Sequence, residues 1–207
     1  MEFTKLWYHK KTAEWLNKCS KNDLILDVGI GKGHYLCVFP KGPKYVLGDI
    51  KIHEDLLRKM PYQYGTMHIC QLDAHLLLFK NESFDIVLSH QTIEHLNNPS
   101  KFIDEVYRVL RKGGKAIIST VIKGSLAHRK VLANNHISEF ESVTEFVAAF
   151  CGRERFHLVS IEKRPINFPF KKFLPRRLVN NLVDVLDEII LPIPLYYYDT
   201  LLLVQKC

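Results

Sequence analysis

A glycine-rich segment follows the first apolar run of the chain, LILDV, and has the composition of a tight ligand-binding turn. It reads Asp27-Val28-Gly29-Ile30-Gly31-Lys32-Gly33. Glycine has no Cβ atom, so such a turn can bend sharply and lie close to a bound molecule. A G-x-G-x-x-G dinucleotide pattern would place its third glycine where the chain has His34, and the G-K-[ST] of a P-loop is absent. The spacing and Asp27 therefore favour a ligand that presents an amine and a carboxylate over one that presents two phosphates.

Further acids end the next two apolar runs, in Gly48-Asp49-Ile50 and in Leu72-Asp73-Ala74. An aspartate at a strand end is often only a helix cap or a turn former. Here, however, Asp27, Asp49 and Asp73 each end a successive strand of one predicted sheet. Because ligands of open α/β sheets bind in the crevice at the carboxyl ends of the strands, we expect these acids to surround one pocket.

Histidines follow the fourth apolar run, in Ser89-His90-Gln91 and in Ile93-Glu94-His95. Imidazole titrates near neutrality, so His90 and His95 are candidates for a general base at the crevice. The alternative is that Glu94 and His95 orient the loop, while Ser89 and His90 contribute backbone contacts to a bound ligand.

We expect no metal site. The histidines form neither an H-x-x-x-H nor an H-E-x-x-H pattern, and His90 and His95 alone supply too few ligands. The cysteines number five, are widely scattered and never form a C-x-x-C pair, so neither a disulfide framework nor a zinc site is indicated.

Alternating strands and helices must position these residues. Short apolar runs separated by helical segments recur along the first half of the chain, namely LILDV, YVLG, MHICQ, FDIVLS and KAIIST. Such runs are typical of parallel strands that helices cover on both faces. Two later strands are predicted around 156–162 and 197–204, the pair forming a reversed edge. The predicted fold class is therefore α/β: a doubly wound, mostly parallel seven-stranded sheet with helices on both faces and an antiparallel final strand.

Three helices are predicted most directly. The first covers residues 3–18 and either lies across the ligand mouth or simply packs on the sheet. The second begins with Asn98 as a cap and Pro99 in the first turn, and Gly113 and Gly114 end it. The third lies around residues 142–150.

The order of these landmarks resembles that of class I S-adenosylmethionine-dependent methyltransferases, in particular the small-molecule-type (methyltransferase type 11-like) branch. The segment D-V-G-I-G-K-G is similar to the family's D-x-G-x-G-x-G. Asp49 resembles the acid that binds both ribose hydroxyls, and Asp73 resembles the acid that accepts from the adenine amino group. The stretch FDIVLSHQTIEHLNNPSKFIDEVYRVLRKGGKAIIST resembles the family's fourth strand, loop, helix and fifth strand. The resemblance covers roughly residues 22–140.

This resemblance implies S-adenosylmethionine as the cofactor. The implied binding residues are Asp27, Gly29, Gly31, Gly33, Asp49, Ile50, Asp73, Ala74 and Ser89. It also implies in-line transfer of the sulfonium methyl group, in which alignment of the acceptor supplies much of the rate, so a dedicated base is optional. No catalytic residue is assigned, and His90 and His95 stay candidates.

The acceptor is predicted to be a small molecule or a lipid-like molecule. After the fourth strand the chain has S-H-Q-T instead of the N/D-P-P-Y of DNA amino-methylases, and the Pro-Cys of cytosine-carbon enzymes is absent. One alternative is an RNA methyltransferase. Another is a non-catalytic partner subunit that binds the cofactor and uses the apolar stripe at residues 178–190 as its interface.

The formal net charge of +7 is concentrated near the C-terminal third, where no acid occurs between Lys163 and Val183. Residues 163–195 combine these basic residues with Phe168, Phe170 and Phe173 ahead of an apolar helical pattern. We expect this insertion to cap the substrate pocket. A basic and aromatic segment also suits RNA or a membrane surface, and a solvated loop over a core helix is the plain alternative.

The chain is predicted to be a single domain, residues 1–207. Its parts are an N-terminal helical cover (1–21), a cofactor-binding core (22–162), the basic insertion (163–195) and a final strand (196–207). No stretch approaches the ~20 apolar residues of a transmembrane helix, and charges interrupt the N-terminal MEFTKLWYHKK. These features predict a cytoplasmic protein, and they leave its oligomeric state open.

Overall fold

The computed structural model of the chain describes residues 7–33, 36, 39–59, 67–123, 136–165 and 197–207. Within them, one sheet has the strand order β3-β2-β1-β4-β5-β7-β6. The strands are β1 (Leu24–Val28), β2 (Lys44–Asp49), β3 (Met67–Gln71), β4 (Phe84–His90), β5 (Leu110–Thr120), β6 (Phe156–Pro165) and β7 (Tyr197–Lys206). The helices are α1 (Trp7–Leu16), α2 (Glu54–Lys59), α3 (Pro99–Val109) and α4 (Val143–Cys151), and short 3-10 turns span Ile93–His95 and Gly152–Glu154.

The strands β1 to β5 pair in parallel, and β7 pairs antiparallel with both β5 and β6. The predicted fold class is therefore confirmed, including the reversed final strand. The last two strands, β6 and β7, both continue beyond the residues at which they were predicted to end. Because β6 continues to Pro165, the strand occupies the first residues of the insertion that was predicted to begin at 163.

The sheet separates two apolar cores because successive side chains of a strand point to opposite faces. Leu26 of β1 belongs to the core that contains Phe102 of α3 and Phe146 of α4. Its neighbour Ile25 belongs to the other core, which contains Leu16 of α1. Helices therefore cover both faces of the sheet, as the near-continuous apolar strands predicted.

The helix α3 begins as predicted but ends earlier. The Asn98 side chain accepts a hydrogen bond from the Lys101 N–H (3.1 Å), and Pro99 is the first helical residue. The prediction that Gly113 and Gly114 end this helix is wrong, because the helix ends at Val109. The next residue, Leu110, is fully buried and pairs with Phe84 in the sheet, which draws the chain out of the helix.

The glycine pair instead shapes an irregular entry to β5. Leu110 pairs with Phe84 and Lys115 with Ile86, so the residues between them bulge out of the ladder. Gly113 has a φ of +75°, a conformation that favours glycine.

Helix α1 packs on the sheet through its apolar residues, within the part of residues 3–18 that the structure describes. All but the first three residues of the proposed substrate cap, 163–195, lie outside the described residues. No helix in the described part of the chain is long and apolar enough to span a bilayer.

Candidate active site

The glycine-rich turn closes β1 onto the end of the neighbouring strand β2. The N–H groups of Gly29 and Ile30 both donate to the Gly48 carbonyl, at 2.8 Å and 3.2 Å. Gly29, Gly31 and Gly33 have φ angles of +85°, +56° and +63°. These left-handed conformations are the physical reason for glycine at three alternating positions.

Gly29 is required for a second, steric reason. A Cβ atom at this position would lie 2.1 Å from the Thr92 hydroxyl oxygen. Thr92 itself lies 3.4 Å, donor to acceptor, from the carbonyl of Val28. The loop after β4 therefore rests directly against the turn after β1.

Asp49 joins the glycine-rich turn to the end of β2. One of its carboxylate oxygens accepts the N–H of Gly31 at 2.8 Å, and the other accepts the N–H of Lys51 at 3.3 Å. A carboxylate has about four lone-pair sites, so Asp49 retains capacity for further donors. The next side chain, Ile50, is 64% exposed, an apolar surface at the mouth of the crevice.

Asp73 lies beyond the end of β3, and the backbone connects it to the same edge. The N–H of Leu72 donates to the carbonyl of Asp49 at 2.9 Å. The Asp73 carboxylate accepts the backbone N–H of His75 at 2.8 Å, and His75 Nδ1 lies 2.9 Å from the same oxygen. These two contacts, the backbone one first, lower the pKa of Asp73 below its usual value. Ala74 is buried beside it.

The structure therefore brings the predicted residues of β1, β2 and β3 to one edge of the sheet. Parallel pairing aligns Val28 with Gly48 and Gly48 with Cys70, so the three carboxyl ends are level. Asp27 differs from the others because its side chain has no exposed surface. Its carboxylate lies inside the sheet at the end of β1.

Ser89 is also fully buried, and its hydroxyl donates to the carbonyl of Val28 at 2.9 Å. Its side chain therefore links β4 to β1. A contact between Ser89 and a ligand would have to use its main chain, which is how the sequence analysis described it.

His90 is unsuited to act as a general base. Its Nε2 lies 3.1 Å from the Thr12 hydroxyl oxygen and its Nδ1 lies 3.1 Å from the Ser119 hydroxyl oxygen, so both ring nitrogens are engaged. The rings of Tyr8 and His9 pack beside it. Burial first, and the charge of His9 second, lower the pKa of His90 to about 3. No local signal in the sequence pairs a residue of α1 with His90.

His95 is exposed and lies in the turn Ile93–His95. Its ring centroid lies 5.0 Å from that of His136, in an edge-to-face arrangement. Each of Glu94, His95 and His136 offers one ligand atom, and these atoms lie within 4.8 Å of one another. The sequence analysis did not include His136, which the fold brings back from beyond β5.

A cavity of about 310 Å³ lies at the opposite edge of the sheet, lined by residues around Lys18, Asp85 and Arg111. It is lined by none of the residues predicted to bind the cofactor. The amino ends of the strands are also the wrong edge for ligand binding in this type of sheet, so we place the candidate site at the carboxyl edge.

Comparison with known proteins finds a match for the part of the chain that carries these residues. Residues 26–118 match the model of a methyltransferase domain family. An uncharacterised protein of Methanocaldococcus jannaschii is 29% identical over 68% of this chain and 65% of its own length. The malonyl-[acyl-carrier protein] O-methyltransferase of Serratia marcescens is 26% identical over 74% of this chain and 61% of its own length. The chain thus spans less than two thirds of the length of these relatives.

Among solved structures, phosphoethanolamine N-methyltransferase 2 of Haemonchus contortus, in complex with S-adenosyl-L-methionine, has a TM-score of 0.65 and 18% identity. The match covers 96% of this chain and 52% of that protein. At this level of identity the similarity concerns the fold, which agrees with the strand order described above.

Proposed function

We propose that the chain is a class I S-adenosylmethionine-dependent methyltransferase, which binds S-adenosylmethionine and transfers the methyl group to a small-molecule or lipid-like acceptor. One observation carries the proposal. The glycine-rich turn, Asp49 and Asp73 lie at the level carboxyl ends of three adjacent parallel strands. Residues from well-separated parts of the chain thus form one polar edge.

The residues at this edge fit the parts of the cofactor. Asp49 has the lone pairs to accept two ribose hydroxyls while it keeps its bond to Gly31. The exposed side chain of Ile50 offers an apolar surface for the adenine ring, and Asp73 and Ala74 are the proposed contacts for its amino group and edge. Gly29, Gly31 and Gly33 let the backbone approach the amino-acid part of the molecule.

The remaining assigned residues act through the backbone or from inside the sheet. Asp27 lies at the buried end of β1, next to the glycine-rich turn, and Ser89 links β4 to β1 through the Val28 carbonyl. We propose that residues 22–162 form the cofactor-binding core, that 1–21 form a helical cover and that the insertion 163–195 caps the substrate.

The bound cofactor supplies an already activated methyl group on a sulfonium. The protein has to align the acceptor in line with the sulfur–carbon bond and to exclude water, which can provide much of the rate advantage. His90 cannot accept the acceptor's proton efficiently, because its ring is buried between two hydroxyl groups. Of the two candidate histidines, only His95 is exposed.

The names of two similar proteins agree with an acceptor group of small-molecule or acyl type. One acts on malonyl-[acyl-carrier protein] and another is a phosphoethanolamine N-methyltransferase. The test is methyl transfer from labelled S-adenosylmethionine to three separate fractions: polar small molecules, lipids and RNA. Label in either of the first two fractions supports the proposal. Transfer to RNA alone, together with salt-dependent RNA binding, would replace it with the RNA methyltransferase alternative.

A further inference from the structure

The turn Ile93–His95 and the chain beyond β5 are held together by their backbones. The N–H groups of Ile137 and Ser138 both donate to the carbonyl of Glu94, at 2.9 Å and 3.0 Å. This pair of bonds brings His136 beside Glu94 and His95. Backbone hydrogen bonds, and not contacts between the three side chains, therefore bring Glu94, His95 and His136 together.

His136 is oriented in the manner of a metal ligand. Its Nδ1 lies 3.0 Å from a carboxylate oxygen of Glu139, and its side chain is only 8% exposed. When Nδ1 donates its proton to Glu139, the lone pair of the ring is on Nε2. Metal-binding histidines usually hold their second ring nitrogen against a carboxylate or carbonyl in this way.

Glu94 provides the buried acid of the group. Its side chain is 1% exposed, and one carboxylate oxygen accepts the hydroxyl of Thr120 at 3.2 Å. A buried carboxylate is stable only when charge and hydrogen-bond partners compensate for lost hydration. A cation shared with His95 and His136 would supply such charge directly.

We infer that Glu94, His95 and His136 bind a divalent transition-metal ion of the Zn²⁺ or Mn²⁺ type. The ligand set has two imidazoles and one carboxylate, a combination found in Zn²⁺ sites and different from the oxygen-only sets of Mg²⁺ and Ca²⁺. The ligand atoms lie within 4.8 Å of one another. Tetrahedral bonds of about 2.1 Å place ligand atoms about 3.4 Å apart, so the three ligand atoms have to draw closer together to bind the ion.

The position of this ion gives it a role, which rests on the proposed methyl transfer. Thr92 precedes the turn that carries Glu94 and His95, and it packs against Gly29 of the glycine-rich turn. The packing is so close that a Cβ atom at Gly29 would lie 2.1 Å from the Thr92 hydroxyl oxygen. The ion therefore lies next to the cofactor edge, and its open positions can bind an acceptor that presents a hydroxyl oxygen.

Binding to the cation lowers the pKa of such a hydroxyl, and its proton leaves to solvent. The acceptor oxygen then forms the new bond to the methyl carbon. The sulfur–carbon bond breaks, and its electron pair returns to sulfur as a thioether. The site thereby supplies the oxygen activation that the engaged ring of His90 cannot supply.

The test is calorimetric titration of the untagged, chelator-treated full chain with Zn²⁺ and with Mn²⁺. We expect one cation per chain, and affinity reduced at least tenfold in His136→Ala and in His95→Ala. His157→Ala is the matched control, because His157 is an exposed histidine on β6. Glu139→Gln should weaken binding by about tenfold, because Glu139 orients His136. His136→Asn serves as a second variant if circular dichroism shows that His136→Ala does not fold.

Absence of binding in the wild-type chain would overturn the inference, as would equal affinity in His136→Ala and His157→Ala. S-adenosylmethionine affinity is measured in the same samples without metal and should not change in His136→Ala. If the cation binds as expected but S-adenosylmethionine does not, the cation site stands and the proposed methyl transfer fails. If S-adenosylmethionine binds and neither cation does, only the cation site fails.

Discussion

Replacement of Gly29 by alanine tests the geometry of the glycine-rich turn most sharply. Two costs act at this position. The φ of +85° is strained for a residue with a Cβ, at about 1–2 kcal/mol. The added Cβ would also lie 2.1 Å from the Thr92 hydroxyl oxygen. Forcing a methyl group into packed space costs about 1–3 kcal/mol. We therefore expect Gly29→Ala to lose about 2–5 kcal/mol of folding free energy.

Variants at two other glycines allow the backbone cost and the steric cost to be measured separately. At Gly31 the φ is +56° but no atom lies within 4 Å of an added Cβ, so Gly31→Ala should lose only the backbone part, about 1–2 kcal/mol. At Gly152 the φ is −60° and the space is open. Gly152→Ala should therefore be neutral or stabilising by up to about 1 kcal/mol.

Urea unfolding followed by circular dichroism measures all three variants under the same conditions. Thr92→Ala combined with Gly29→Ala should recover most of the steric part of the loss and leave the backbone part, because it removes the two atoms nearest to the new Cβ and keeps only the Thr92 Cβ, at 3.0 Å. Equal losses in Gly29→Ala and Gly31→Ala would refute the steric argument and would mean that the loop after β4 moves freely away from the turn.

Two further predictions concern α3 and His90. Asn98→Ala should destabilise the protein by about 1 kcal/mol in urea unfolding, because its side chain caps α3, whereas Asn97→Ala at the exposed neighbour should have little effect. Because the folded pKa of His90 is about 3, the unfolded state binds one more proton between that value and the ordinary pKa of 6.5. The free energy of unfolding should therefore fall by up to about 1.4 kcal/mol for each pH unit below about 6.5. Urea unfolding at about pH 5 and about pH 7 measures this pH dependence. His90→Gln should lack the contribution of His90 to it. An unchanged slope in His90→Gln would contradict the burial argument.

The sheet was predictable because its strands are nearly continuous apolar runs such as LILDV and FDIVLS, and each run is a local signal. The end of α3 was missed because Gly113 and Gly114 look like a helix stop, while the competing effect is the burial of Leu110 against Phe84. That effect depends on a partner far away in the sequence. The position of β7 between β5 and β6 likewise follows from pairing that no single run reveals.

In the candidate site, too, some residues were predictable from the sequence and others were not. The glycines, Asp49 and Asp73 carry a recognisable spacing, so the sequence predicted their convergence. The partners of His90, Thr12 and Ser119, come from α1 and β5, and no local pattern links them. His136 was missed for the same reason, since a tertiary backbone contact to Glu94 brings it beside His95.

Calorimetric titration of the purified chain with S-adenosylmethionine, S-adenosylhomocysteine and NAD tests the central claim most directly. We expect the two sulfur ligands to bind and NAD not to bind. We also expect Asp49→Ala to weaken the binding of both sulfur ligands, because it removes the proposed ribose acceptor, while Asp104→Ala on the outer face of α3 has no effect. Binding of NAD alone, or unchanged binding of S-adenosylmethionine in Asp49→Ala, would contradict the assignment of the cofactor to this edge of the sheet.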